Sequence, residues 1–178
     1  MLGQDVAILL KLAITSHPNI PVKQVAEDLC LPQSEVSKSL QRCQHAGLLY
    51  RSDMEKRVNK TALLEFLGHG LRYVFPPQVE GLTRGLPTAV AAEPLKSEFL
   101  QSAEPPYVWA YSEGTARGLS LDPLYKNAPQ AALRDDRLYR LLALCDALRI
   151  GRVREKNRAI EHLQKELNRD GRSQSLAT

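Results

Sequence analysis

The chain has little of what staples or anchors a protein. Its three cysteines, Cys30, Cys43 and Cys145, are odd in number and widely spaced over 178 residues. That argues against a disulfide framework and makes a reducing cytoplasm the expected compartment. No Cys-x-x-Cys occurs and the four histidines, His17, His45, His69 and His162, are scattered, so neither a metal nor another cofactor is expected. No apolar run approaches the roughly 18–20 residues that span a bilayer. Asp5 and Lys11 interrupt the apolar stretch near the N-terminus, so neither a signal peptide nor a membrane partner is expected. A nucleophile elbow, a paired-carboxylate motif and a metal triad are all missing. No catalytic residue is assigned, and the chain is expected not to be an enzyme.

What is there is a globular composition, 43% hydrophobic and 25% charged. The length suits one to one-and-a-half domains and a core that needs no covalent staple. The net charge of +4 is unevenly spread: +2 over residues 1–75, −2 over 76–130 and +4 over 131–178. Basic ends fit nucleic acid as a partner. The texture also divides the chain. From residue 76 to 130, Pro76, Pro77, Pro87, Pro94, Pro105, Pro106, Pro123 and Pro129 alternate with Gly81, Gly85, Gly114 and Gly118, and long helices cannot run through such a stretch. The reading is therefore an N-terminal domain (1–75), an irregular Pro/Gly-rich middle with at most a short strand (76–130), a helical C-terminal region (131–170) and a disordered tail (171–178).

In the first part, Val6, Leu9, Leu10 and Ala13 make an i, i+3, i+4, i+7 stripe that predicts a helix over 4–15. A second, short helix follows Pro21, with Val22, Val25, Ala26 and Leu29 on one face. A third begins near Pro32 and buries Val36, Leu40 and Cys43, and Gly47 ends it where glycine takes a left-handed cap cheaply. Residues 48–58 read as a short hairpin with a charged tip. Asn59 can cap a fourth helix carrying Leu63, Leu64, Leu67 and Leu71. With Val36, Leu40 and Cys43 packed inward, the third helix turns Ser34, Ser37, Lys38 and Gln41 outward, with Arg42 and His45 toward the flank. These side chains suit base edges and phosphates. The hairpin adds Arg51, Lys56 and Arg57. Residues 33–60 hold six Lys and Arg against Glu35, Asp53 and Glu55, enough for a few phosphate contacts.

Ala26, Leu29, Leu31, Val36, Ser37, Leu40, Ala46, Gly47 and Leu48 stand at linked positions in this stretch. The pattern resembles the helix-turn-helix of bacterial winged-helix transcriptional regulators, the MarR-like and related groups, over roughly residues 1–70. Cys43 stands where a leucine is usual. The resemblance implies a mainly α fold with a small β-hairpin wing, and a DNA-binding role, most readily that of a dimeric repressor. Double-stranded DNA is the implied partner, with Ser34, Ser37, Lys38 and Gln41 at bases and Arg42, Arg51, Lys56 and Arg57 at phosphates. The alternative is a protein-protein module or antitoxin-like accessory subunit whose DNA binding is autoregulatory; Glu35, which repels phosphate, leans that way.

The rest is less specific. Residues 81–88, with two glycines, Arg84 and two threonines, read as a turn rather than a phosphate loop, lacking the P-loop spacing and its Lys-Ser/Thr ending. Tyr107, Trp109 and Tyr111 alternate as on a strand with one aromatic face. They form the candidate ligand pocket, although such a stripe is more often core. On the C-terminal side, Leu138, Leu141, Leu142, Cys145 and Leu148 form a stripe over 135–150. After Gly151, Val153, Ile160, Leu163 and Leu167 form a narrower one over 152–168 that suits a partner helix. A homodimer, or a protein partner, is expected through these helices, with packing on the middle segment as the alternative. Arg149, Arg152, Arg154, Lys156 and Arg158 make a second basic cluster that either flanks DNA or is solvated.

Overall fold

In the computed structural model, which describes residues 1–17, 19–52, 55–99 and 104–169, helix α1 (Gly3–Ile14) is enclosed on nearly every side. Val6, Ala7, Ile8, Leu9 and Leu10 are all fully buried, so the four-residue stripe of the sequence understates its apolar surface. α1 packs on α3 (Gln33–His45) on one side and on α8 (Asp136–Ile150) and α9 (Val153–Asn168) on the other. A helix apolar all round belongs in the middle of a core. α8 is of the same kind, with Leu138, Leu141, Leu142, Leu144, Cys145 and Ala147 buried. Asp135 caps it, accepting from the backbone N–H groups of Arg137 and Leu138 at 3.0 Å each. Its carboxylate also takes Lys11 Nζ at 2.8 Å, and the same ammonium reaches Asp28 at 2.9 Å. One lysine thus ties α1 to α2 (Val22–Asp28) and to the start of α8.

The N-terminal elements lie where periodicity puts them. Pro21 and Pro32 immediately precede α2 and α3, where a missing N–H costs no helical bond. Gly47, at φ +71°, turns the chain out of α3. β1 (Leu49–Arg51) and β2 (Lys56–Val58) pair antiparallel, Tyr50 opposite Arg57. Asn59 caps α4 (Lys60–Glu65), accepting from the Ala62 N–H at 3.2 Å. α4 runs through a π-helical turn (Phe66–Gly70) into α5 (Leu71–Val74).

The middle segment is not irregular. It holds β3 (Val79–Pro87), β4 (Tyr107–Ala110) and β5 (Ala116–Leu121), with the short helices α6 (Leu95–Glu98) and α7 (Ala128–Ala132). β3 pairs antiparallel with both other strands, and β4 meets β5 in a short parallel contact, so the three close on themselves. Residues 81–87, expected to turn, run inside β3. Glycine here serves close approach rather than a bend. A Cβ on Gly85 would lie 2.1 Å from the Trp109 carbonyl oxygen, and one on Gly118 would lie 2.0 Å from that of Pro106. The prolines stand at strand ends: Pro76 and Pro77 before β3, Pro105 and Pro106 before β4, Pro123 after β5. A buried polar cluster fastens this sheet to α8. Asp146 accepts from Thr88 Oγ1 at 2.7 Å, Trp109 Nε1 at 2.6 Å and Arg149 at 2.8 Å. Arg149 also reaches Asp122 at 3.0 Å and the Phe75 carbonyl at 2.9 Å. Burial pushes the Asp146 carboxyl up, and Arg149 and the two neutral donors oppose that.

The C-terminal stripes are filled mostly from within the chain, with Ile160 half-buried and Val153 75% exposed. Ala159, Leu163 and Leu167 of α9 are fully buried, and the helix packs on α8, α4, α6 and α1. The inner part of the seam that spacing suggests for a partner, Ala159, Leu163 and Leu167, is intramolecular. The basic cluster is divided as well: Arg149 is interior, Arg158 pairs with Glu98 and Glu161, and Arg152 and Arg154 are exposed. The expected disordered tail, 171–178, lies outside the described residues. No described helix is long and apolar enough to cross a membrane.

Candidate nucleic-acid interface

α3 carries the site. Val36, Ser39, Leu40 and Cys43 are buried, and this fixes what faces out. Ser34, Lys38, Gln41, Gln44 and His45 are exposed and Ser37 is half-buried. Gln44 is absent from the sequence-based set although it lies three residues beyond Gln41 on the same helical face; extending the outward stripe one more turn would have found it. The Cys43 thiol is pushed up to about 12 by burial, so it packs as a small apolar group.

The helix is held by a buried carboxylate from α1. Asp5, with no solvent exposure, accepts from Ser39 Oγ at 2.5 Å, from Arg42 Nη2 at 2.6 Å and Nε at 2.9 Å, and from the Leu2 backbone N–H at 2.8 Å. Burial alone would raise its pKa. The Arg42 fork, Ser39 and the Leu2 N–H outweigh that and hold the carboxyl below its ordinary value. The guanidinium of Arg42, a residue expected at phosphate, is closed bidentately on Asp5 through Nε and Nη2 and fixes the roll of α3 on α1. At the other end of α3, Glu35 accepts from Lys38 Nζ at 3.2 Å and from Gln4 Nε2 at 3.1 Å. Lys38 and Gln4 hold the Glu35 carboxyl below its usual range.

The hairpin divides in the same way. Arg51 is exposed, and Arg57 lies over the exposed Tyr50 ring, 5.7 Å from its centroid. Lys56 instead donates to the Ile20 carbonyl at 3.0 Å and pins β2 to the segment before α2. Like Arg42, this residue expected at phosphate also carries an internal contact. The tip, residues 53–54, lies outside the described residues. Between the end of α3 and the hairpin runs an open groove of about 330 Å³, lined by Gln44, Gly47, Tyr50, Arg51 and Arg57 among others. The structure thus gathers Ser34, Ser37, Lys38, Gln41 and Gln44 on one helix face and Arg51 and Arg57 beside it.

The aromatic triplet is not gathered into a pocket. Trp109 is 1% exposed; its ring lies 5.7 Å from that of Tyr139 and its N–H is spent on Asp146. Tyr107 and Tyr111 are half-buried, Tyr111 just past the end of β4. Two other cavities lie elsewhere. One, of about 690 Å³, lies over Arg84 and Arg117, which face each other across β3 and β5. Another, of about 610 Å³, lies between α4–α5 and α9. Neither has a local motif, because each is assembled from segments far apart in the chain. Comparison with protein-family models, curated proteins and solved structures finds no match to this chain.

Proposed function

We propose that the protein is a sequence-specific DNA-binding regulator of the winged helix-turn-helix kind, with α3 as the recognition helix and β1–β2 as the wing. The observation that carries this reading is the division of α3: an apolar face closed on α1, an outward face of Ser34, Ser37, Lys38, Gln41 and Gln44, and the Asp5–Arg42 clamp that fixes which face is which. A helix of 13 residues is about 20 Å long and fits a major groove about 12 Å wide. Its amides, hydroxyls and lysine can read base edges, while Arg51 and Arg57 hold phosphates. Repression by occupying the operator is the output this reading carries. On a pseudo-palindromic site, a dimer would set two α3 helices about 34–36 Å apart. Any dimer contact must use surface other than the buried stripes of α8 and α9.

One observation favours a second reading, an interaction module with little DNA affinity: Arg42 and Lys56 are committed internally and Lys38 shares its charge with Glu35. Substitution separates the two. Lys38→Ala with Gln41→Ala is expected to weaken binding to a selected duplex by about 10- to 100-fold, the worth of one good base contact, while hardly changing binding to random DNA. Equal affinity of wild type and double variant for the selected duplex would remove α3 as the reading element.

A further inference from the structure

The groove between α4–α5 and α9 has a volume of about 610 Å³, within the range of small-molecule sites. Its floor includes Leu64 and Ile160, both half-buried. One wall is the π-helical turn Phe66–Gly70, an irregularity found disproportionately at functional sites. Two cations stand over this floor. Arg72, from α5, lies over the exposed Tyr73 ring at 5.1 Å. Lys156, from α9, is half-buried. Among the described residues neither makes an ion pair. Glu155, beside Lys156 in sequence, spends its carboxylate on the Arg152 N–H at 2.6 Å. Glu65 lines the groove but lies two helical turns before Arg72. Burial and the Arg72 charge both pull the Lys156 pKa down and outweigh the opposing charge of Glu155, as expected for two cations that share a site. A bare anion would neutralise them and leave the apolar floor uncovered.

We propose that this groove binds a small organic phosphate, its phosphoryl group between Arg72 and Lys156 and its organic body over Leu64 and Ile160 against the Tyr73 ring. A phosphomonoester brings close to two negative charges, matching the two cations, and Arg72 offers the planar fork that suits phosphate oxygens. The site is independent of α3 and stands whether or not the chain binds DNA.

The test is thermal unfolding of the full chain with phenyl phosphate and with adenosine 5′-monophosphate, against phenol, adenosine and inorganic phosphate at the same concentrations. The expected result is a rise in Tm of about 2–4 °C at saturation with at least one of the two phosphomonoesters. Each separate half should give clearly less. Arg72→Gln with Lys156→Gln should abolish the rise, Arg72→Lys with Lys156→Arg should retain most of it, and Arg84→Gln, a cation outside the groove, should leave it intact. The proposal is overturned by any of three results: no rise with either phosphomonoester, an equal rise with inorganic phosphate alone, or a rise that survives the double glutamine variant.

Discussion

Asp5 decides the most at the scale of single residues. It is a buried charge from α1 whose partners come from α3, with Arg42 37 positions away. Removing the carboxylate charge leaves Ser39 and the Arg42 fork, whose side chain is 31% exposed, without their full acceptor, at a cost of about 1–3 kcal/mol. Asp5→Asn is therefore expected to lower stability by about that amount in urea unfolding, with m unchanged. The pH dependence follows from the depressed pKa. The folded carboxyl titrates below its unfolded value of about 3.9, so its contribution is complete above that value and is lost as pH falls through the folded pKa. Between about pH 5 and pH 2, the stability gap between wild type and Asp5→Asn should shrink; a constant gap would mean the carboxyl is not depressed. Arg42 also shows where sequence reading stops. Spacing along α3 correctly puts it on the flank, but spacing carries no information about a carboxylate on another helix. The same holds for Lys56, whose partner is a backbone carbonyl.

At the scale of elements, hydrophobic period was enough for α1 to α4, the hairpin and both C-terminal helices, because each has a face the sequence repeats. In the middle it found only the strand of the Tyr107–Trp109–Tyr111 alternation, β4; β3 and β5 were missed because glycine and proline read as turn signals. Gly85 and Gly118 are small so that a neighbouring strand can come close, and most of the prolines mark strand ends, with Pro94 and Pro129 at helix starts. Gly85→Ala puts a methyl group 2.1 Å from the Trp109 carbonyl oxygen. It is expected to cost about 1–3 kcal/mol, read by urea unfolding monitored through Trp109 fluorescence. Gly81, with no atom near its missing Cβ, is the control: Gly81→Ala should stay within about 0.5 kcal/mol of wild type. Equal losses at both positions would mean that close strand approach is not what Gly85 supplies.

At the scale of the whole molecule, a single apolar cluster runs from Val6 to Leu167. α1 faces α3 on one side and α8 on the other, so its apolar surface is shared between the N-terminal and C-terminal parts. Far-UV circular dichroism and Trp109 fluorescence should report coincident thermal transitions for the full chain, and a fragment of residues 1–75 should show no cooperative transition. A folded, cooperative fragment would support the boundary at residue 75 that texture suggests. Texture changes at proline and glycine, but cores close wherever apolar faces meet, and only the second defines a folding unit. The shared core also gives α3 a rigid base, which reading DNA requires. Fluorescence anisotropy tests that function most directly. The full chain would be titrated onto a duplex selected from a random pool and onto its scrambled counterpart, at about 50 mM and 200 mM salt. Base reading by α3 predicts that affinity for both falls with salt while a preference of about 10³-fold or more for the selected duplex persists. Weak binding to both duplexes that vanishes together at the higher salt would contradict it, leaving only a charged surface.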